Sequence, residues 1–149
     1  MAETLGSLCD KLTIVKLKQW HTSEDAKLTS LAGQETWLKQ EIDSFVADAL
    51  AGRIASDRIT YPANKVLKGE ASRVPLAQGS IGEVCAELAK VNCELWHQQA
   101  KVYEFEAVPA DQRVPVVKRL GVLNIERTRC IDAIDAQLLE LLNRKEQAV

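Results

Sequence analysis

An internal repeat is the feature of this sequence that most restricts its fold. Residues 4–21 align without gaps on residues 80–97 at an offset of 76, and six of the eighteen aligned positions are identical. The identical pairs are Gly6/Gly82, Cys9/Cys85, Leu12/Leu88, Val15/Val91, Trp20/Trp96 and His21/His97. Because apolar residues in each copy recur at intervals of three and four, each copy predicts an amphipathic helix. A weaker match between residues 28–43 and 120–135, at an offset of 92, extends the predicted duplication.

Start and stop signals divide the chain into four predicted helices. These cover approximately residues 4–21, 23–52, 81–103 and 116–145. Ser80 and Glu83 form a capping box at the start of the third helix. Gly52 ends the second helix, and the last helix is expected to start after the prolines Pro109 and Pro115.

The predicted fold class is all-α, with one domain over residues 1–149. Two helical hairpins, residues 4–52 and 80–145, are expected to pack as a four-helix bundle around one core. The connection between helices two and three, residues 53–79, is much longer than a usual helix–helix link, and such segments are often functional.

Composition excludes several classes of protein. Hydrophobic residues make up 46% of the chain and charged residues 27%, which is typical of a globular domain. No apolar run is long enough to cross a bilayer, and the acidic start lacks the pattern of a signal peptide, so we expect a cytoplasmic protein without a membrane partner. The net charge of −2 makes a nucleic-acid partner unlikely.

The four cysteines, at positions 9, 85, 93 and 130, have no C-x-x-C spacing and lie in apolar stretches. This pattern predicts buried, reduced thiols, and neither a disulfide nor a zinc site is expected. We predict no metal and no cofactor.

The connection concentrates positive charge. Between residues 51 and 79 five cations face two anions, a net charge of +3 in a chain whose total is −2. The ligand-binding residues predicted here are Arg58, Tyr61, Lys65, Lys68 and Arg73. An aromatic ring beside cations suits an anionic small molecule or a protein partner. The alternative is a solvated loop that pairs with acidic helices.

The two histidines are the second group of candidate ligand-binding residues. Each follows a tryptophan at equivalent places in the repeat, so His21 and His97 could face one cleft near one end of the bundle. A true duplication also predicts equivalent environments for Trp20 and Trp96. The alternative is that each Trp anchors the bundle and each His satisfies a backbone carbonyl.

Paired carboxylates leave an enzymatic alternative open. Glu83 and Glu87 are four residues apart on the third helix, and Asp132 and Asp135 are three apart on the last. All-helical nucleotide pyrophosphatases hold magnesium with such pairs, but their typical E-x-x-E is absent here. The alternative function is therefore a metal-dependent all-α hydrolase of nucleotides or nucleotide sugars.

Three segments, LGSLCDKLTIVKLK, VNCELWH and LNIERTRCIDAID, resemble uncharacterised bacterial helical families of unknown function. The matching positions are Gly6, Asp10, Lys11, Thr13, Lys16, Asn92, Trp96, Asn124 and Arg127. The resemblance implies that the gene lies near genes for glycosyltransferases and surface-polysaccharide synthesis. It does not imply a known activity. Cys9 replaces an aliphatic residue of the pattern, and Gln98 with Gln99 replaces an acidic pair.

The polar members of these segments form a predicted polar cluster of Asp10, Lys11, Asn92, Asn124 and Arg127. If helices one and four are neighbours, Asp10 and Lys11 could pair with Arg127 or Asn124. Such a layer either fixes the register of the helices or lines a ligand pocket. Taken together, the sequence predicts a non-catalytic accessory or binding protein that forms a homo-oligomer.

Overall fold

The chain is all-helical in the computed structural model, which describes residues 2–61 and 65–148. The four helices are α1 (Leu5–His21), α2 (Asp25–Leu50), α3 (Ile81–Tyr103) and α4 (Ala110–Gln147). Three short 3-10 turns cover Ser56–Arg58, Gly69–Arg73 and Phe105–Ala107. The predicted four-helix fold class is confirmed. Within the described ranges, no helix has the length and apolar character needed to cross a membrane.

α1 is the central helix of the arrangement, since it packs against each of the other three. α1 and α2 form one hairpin, and α3 and α4 form the other. α1 runs parallel to α3, because Cys9 meets Cys85 near their starts and His21 meets His97 near their ends. The core lies between these helices and comprises Leu5, Ala49, Ile59, Val84, Leu88, Cys130, Ile131, Ala133, Ile134 and Leu138.

Local signals at the helix ends explain why these elements form. The predicted capping box of α3 is present: the Ser80 hydroxyl accepts from the Glu83 amide at 3.3 Å, and the Glu83 carboxylate accepts from the Ser80 amide at 2.8 Å. The same reciprocal pair of bonds joins Thr4 and Ser7 at the start of α1. Gly52 follows the end of α2 at φ +73°, a conformation that glycine adopts without a steric penalty.

The start of α4 corrects a sequence prediction. Pro115 was expected to precede the helix, but it lies inside a helix of 38 residues that begins at Ala110. Arg113 accounts for the additional turn, because its Nε donates to the Val108 carbonyl at 3.0 Å and its guanidinium lies 5.3 Å from the centre of the Phe105 ring. These contacts hold the first turn of the helix against the preceding loop.

The connection packs against the helical bundle. Ile59 has only 1% of its surface exposed and belongs to the core. Ile54 and Ala77, near the two ends of the connection, also pack against the core. Residues 62–64 lie outside the described residues.

The prediction that all four cysteines are buried is wrong in part. Cys130 is buried, Cys9 and Cys85 are half-buried, and Cys93 is exposed. The apolar stretch around Cys93 misled the prediction, because position 93 of α3 faces solvent while Asn92 beside it faces the core. All four cysteines are free thiols.

Candidate functional site

Three of the five predicted polar-cluster residues meet in the interior of the bundle. Asp10 of α1 is 3% exposed and receives two bonds from Arg127 of α4, Nε to Oδ1 at 2.8 Å and Nη2 to Oδ2 at 2.5 Å. Asn92 of α3 donates to Asp10 Oδ1 at 2.9 Å. This bidentate hydrogen bonding to Asp10 raises the pKa of Arg127. The cluster therefore joins three helices through one carboxylate.

The other two residues of the predicted polar cluster lie elsewhere. Lys11 is exposed and pairs with Glu3 near the start of the chain. Asn124 is exposed, its side-chain amide donates to the Leu120 carbonyl at 3.0 Å, and its own carbonyl accepts from Lys65 at 3.3 Å. Adjacent residues on a helix point in different directions, so Lys11 cannot share the environment of Asp10.

A second buried carboxylate, Asp135, ties α4 to the start of α1. Its Oδ1 accepts from the Gly6 amide at 2.7 Å, and its side chain also bonds with that of Thr4. Burial raises the pKa of Asp135 to about 6, against the lowering effect of these two hydrogen bonds. The sequence pattern indicated Asp135 only as a candidate metal ligand, and this role was missed. The signal that could have indicated this role was the position of Asp135 at the end of the third segment, LNIERTRCIDAID, while Gly6 lies in the first segment.

Replacing Asp135 with Asn should make the fold more stable at pH 7. Because the folded pKa lies above the ordinary value of 3.8, Asp135 favours folding fully below about pH 4, and this contribution is lost as the pH rises through 6. Asn keeps an oxygen for the Gly6 amide without a charge to bury. We expect a gain of about 2–3 kcal/mol at pH 7 and little change at pH 4, from urea denaturation at both pH values.

Glu140→Gln is the matched control for Asp135→Asn, since Glu140 is an exposed carboxylate on the same helix. It should change the free energy of unfolding by less than about 0.5 kcal/mol at either pH. Equal stabilisation by both substitutions would contradict a specific effect of the buried carboxylate.

The predicted histidine pair lies beside a cavity of about 470 Å³ at the end of the bundle where α1 turns into α2. We call it the Trp-His cavity, and its lining comprises Lys18, His21, Thr22, Glu24, Lys27, Ser30, Leu31, Gln34 and Trp96. The His21 ring stacks on Trp96 at 4.7 Å between centroids, and the His97 ring lies edge-on to His21 at 6.3 Å. His97 is at the margin of the cavity and is not among its lining residues.

The hydrogen bonds of His21 leave one ring nitrogen available. Its Nδ1 lies 2.8 Å from the Leu17 carbonyl, an interaction that requires a proton on Nδ1. In the neutral ring the other nitrogen, Nε2, is then an acceptor. His21 thus bonds to a backbone carbonyl, as the alternative to ligand binding predicts, and it also lines the Trp-His cavity.

The tryptophans do not occupy equivalent environments, which corrects the prediction from the repeat. Trp20 is 85% exposed, whereas Trp96 is half-buried beneath His21. The reason is helix length: α1 ends one residue after Trp20, while α3 continues to Tyr103 alongside α4. The two glycines also differ, since Gly6 is buried against α4 and Gly82 is exposed.

The residues predicted on the basic connection do not converge on one cavity. Arg58 borders a cavity of about 560 Å³ next to Asp48, and Tyr61 borders another of about 490 Å³ with Asp132 and Asp135. Lys65 bonds to the backbone of α4 through the Asn124 carbonyl. Lys68 and Arg73 are exposed at the two ends of the 3-10 turn Gly69–Arg73. The positive charge of the connection is therefore spread over the surface.

The paired carboxylates lie in two separate cavities. Glu83 and Glu87 line one of about 520 Å³, while Asp132 and Asp135 line the neighbouring one of about 490 Å³. In the part of the chain that the structure describes, no three His, Cys, Asp or Glu side chains are grouped closely enough to hold a metal ion.

Comparisons with protein-family models, with curated proteins and with solved structures found no match to this chain.

Proposed function

We propose that this chain is a non-catalytic helical binding protein that holds an anionic ligand in the Trp-His cavity. The observation that carries the proposal is the combination of an aromatic wall, His21 on Trp96, with two lysines around one cavity. The basic connection, which we considered first from the sequence, is less suitable because its cations diverge. The cavity combines an apolar surface with a few polar groups, as small-molecule sites generally do.

The charges around the cavity favour an anion. Lys27 is paired with Glu24 at 2.6 Å, but Lys18 has no ion-pair partner among the described residues. The lining thus has a net positive charge with one ammonium group available. The start of α2 adjoins the cavity and has no side-chain cap, so its amide groups add a partial positive charge.

The aromatic wall favours a ligand with a flat ring or a sugar in addition to its negative charge. One face of Trp96 is covered by His21, so a ligand would contact the remaining indole surface. Stacking of a base on an aromatic side chain contributes about 1–3 kcal/mol. A nucleoside diphosphate or its sugar conjugate combines both properties, and these are the ligand class that we propose.

Thermal-shift measurements with uridine diphosphate and uridine-diphosphate glucose test the proposal. A ligand at a hundred times its Kd should stabilise the protein by about 2.7 kcal/mol and raise Tm by about 5–10 °C. Lys18→Ala should weaken binding about tenfold, because a hydrogen bond to a charged group is lost. The difference between wild type and Lys18→Ala should shrink as salt rises, since exposed charges are screened over about 8 Å at physiological ionic strength.

The repeat supplies a matched control for the aromatic contact. Trp96→Ala should weaken binding about tenfold or more, whereas Trp20→Ala should have no effect, because Trp20 is exposed outside the cavity. A Lys65→Ala, Lys68→Ala double variant tests the connection. Loss of binding in the double variant with full binding in Lys18→Ala would move the site to the connection. Absence of binding by either nucleotide would reject the ligand class.

The remaining parts of the proposal rest on the sequence. The resemblance to helical families of polysaccharide gene clusters supports an accessory role in polysaccharide biosynthesis in the cytoplasm, where nucleotide sugars are donors. The homo-oligomer stays a prediction, favoured by the exposed apolar side chains of Tyr103, Val114 and Val117. The hydrolase stays the alternative, and magnesium-dependent loss of the nucleotide in the same samples would support it instead.

A further inference from the structure

Cys9 and Cys85 form a contact pair across the two halves of the repeat. The Cys9 and Cys85 thiols interact with each other, and both side chains pack against the same core from adjacent helices. α1 and α3 run parallel, and two equivalent pairs of the repeat meet between them, Cys9 with Cys85 and His21 with His97. The proximity of the two thiols therefore follows from how the helices are aligned.

A buried polar contact also joins α1 and α3. Asp10, next to Cys9, is held to Asn92 of α3 at 2.9 Å and to Arg127 of α4. This bond lies one residue from Cys9 on α1 and seven residues from Cys85 on α3, and it holds the two helices together.

The four cysteines differ in what they can do. Cys130 is buried, and burial raises its pKa to about 11. Cys93 is an exposed free thiol. The interaction with the Cys9 thiol lowers the pKa of Cys85 to about 7, while the same interaction raises the pKa of Cys9. Cys85 is thus the thiol that forms a thiolate near neutral pH, and thiolates are the reactive form.

We propose that Cys9 and Cys85 are a reversible redox site, which hydrogen peroxide converts into a disulfide between α1 and α3. The Cys85 thiolate attacks a peroxide oxygen, the O–O bond breaks, and Cys85 becomes a sulfenic acid as hydroxide leaves and takes up a proton. The Cys9 sulfur then attacks the sulfenic sulfur, the S–O bond breaks, and water leaves with the Cys9 proton. The two thiols lose two electrons, and the peroxide gains them as it is reduced to water.

The disulfide would covalently connect the two hairpins. It would close a loop that includes all of α2 and the connection, and it would restrict the unfolded chain. We expect Tm to rise by about 10 °C on oxidation and to return with dithiothreitol. The site is independent of the Trp-His cavity, which lies at the other end of α1.

Hydrogen peroxide titration of the full chain, read by intact mass and by peptide mapping, tests this site. The expected product has lost two hydrogens, contains a Cys9–Cys85 linked peptide and is restored by dithiothreitol. Cys93→Ser should leave this product unchanged, whereas Cys9→Ser should stop the reaction at a Cys85 sulfenic acid that a dimedone probe labels. The Tm of the oxidised sample is read in parallel.

Several outcomes would overturn the proposal. One is oxidation confined to Cys93, seen as a dimer between chains that Cys93→Ser abolishes. Another is addition of two or three oxygens at Cys85 without a linked peptide, which would mean that Cys9 cannot reach the sulfenic sulfur. Since the peptide map is made on the wild-type chain, the result does not depend on whether Cys9→Ser folds.

Discussion

Gly6→Ala should destabilise the fold by about 3 kcal/mol or more, because α1 and α4 touch at this glycine. A Cβ at Gly6 would collide with the Ile131 carbonyl and would lie 3.0 Å from Asp135 Oδ1. Both neighbours are held in place, the carbonyl by its helix and the carboxylate by its bond to the Gly6 amide. The helix start must therefore move away from α4, and that bond is weakened. Urea denaturation monitored by circular dichroism measures the loss.

Gly82→Ala is the matched control, because Gly82 is the equivalent glycine of the second repeat copy. Its nearest atom to an added Cβ, the Ser80 hydroxyl oxygen, is 4.0 Å away, so nothing has to move. Alanine is the better helix former, and we expect a gain of up to about 1 kcal/mol. Similar free energies of unfolding for the two variants would contradict the close packing of α1 on α4.

Asp10→Ala should destabilise the fold by about 3 kcal/mol. Removal of one partner from a buried ion pair costs about 3–5 kcal/mol, and the lower value applies here because Arg127 keeps about a third of its side chain in water. The substitution leaves the guanidinium and the Asn92 amide without their shared acceptor. Urea denaturation of the single variants and of the double variant with Arg127→Ala gives the coupling energy. We expect this coupling to reach about 1–3 kcal/mol.

Lys11→Ala provides the comparison within the same helical turn. Its ion pair with Glu3 is exposed, so the change should cost less than about 1 kcal/mol. A small effect of Asp10→Ala, or a coupling energy near zero, would mean that the three-helix polar cluster does not stabilise the fold. The polar cluster would then be better explained as part of a binding surface.

Much of the secondary structure could be predicted because its causes are local. The capping box of α3 needs only Ser80 and Glu83, three residues apart, and the predicted boundaries of α1 and α3 agree with the structure within a residue. The start of α4 was missed because Arg113 stabilises the turn through Phe105 and Val108 of the preceding loop, and proline spacing carries no information about that contact.

The candidate sites were less predictable. The sequence indicated His21 as a candidate, and the helical spacing of Lys18, three residues before it on α1, could have added that residue. Lys27 could not be found in this way, because it lies on α2 and comes beside them only in the folded hairpin. The charge of the connection was evident in the sequence, yet charge alone does not show whether side chains converge. Arg58 and Tyr61 are three residues apart and line different cavities.

The amino-acid sequence by itself determined the helices of this protein, since apolar periodicity and end capping act over three to five residues. Only the tertiary structure decided which equivalent residues share an environment. Gly6 and Gly82 are identical in sequence and opposite in packing, because Gly6 lies against α4 while Gly82 lies on the exposed side of α3. The Asp10–Arg127 pair joins residues 117 positions apart. Contacts at such separations depend on how the hairpins pack, which no local pattern of residues encodes.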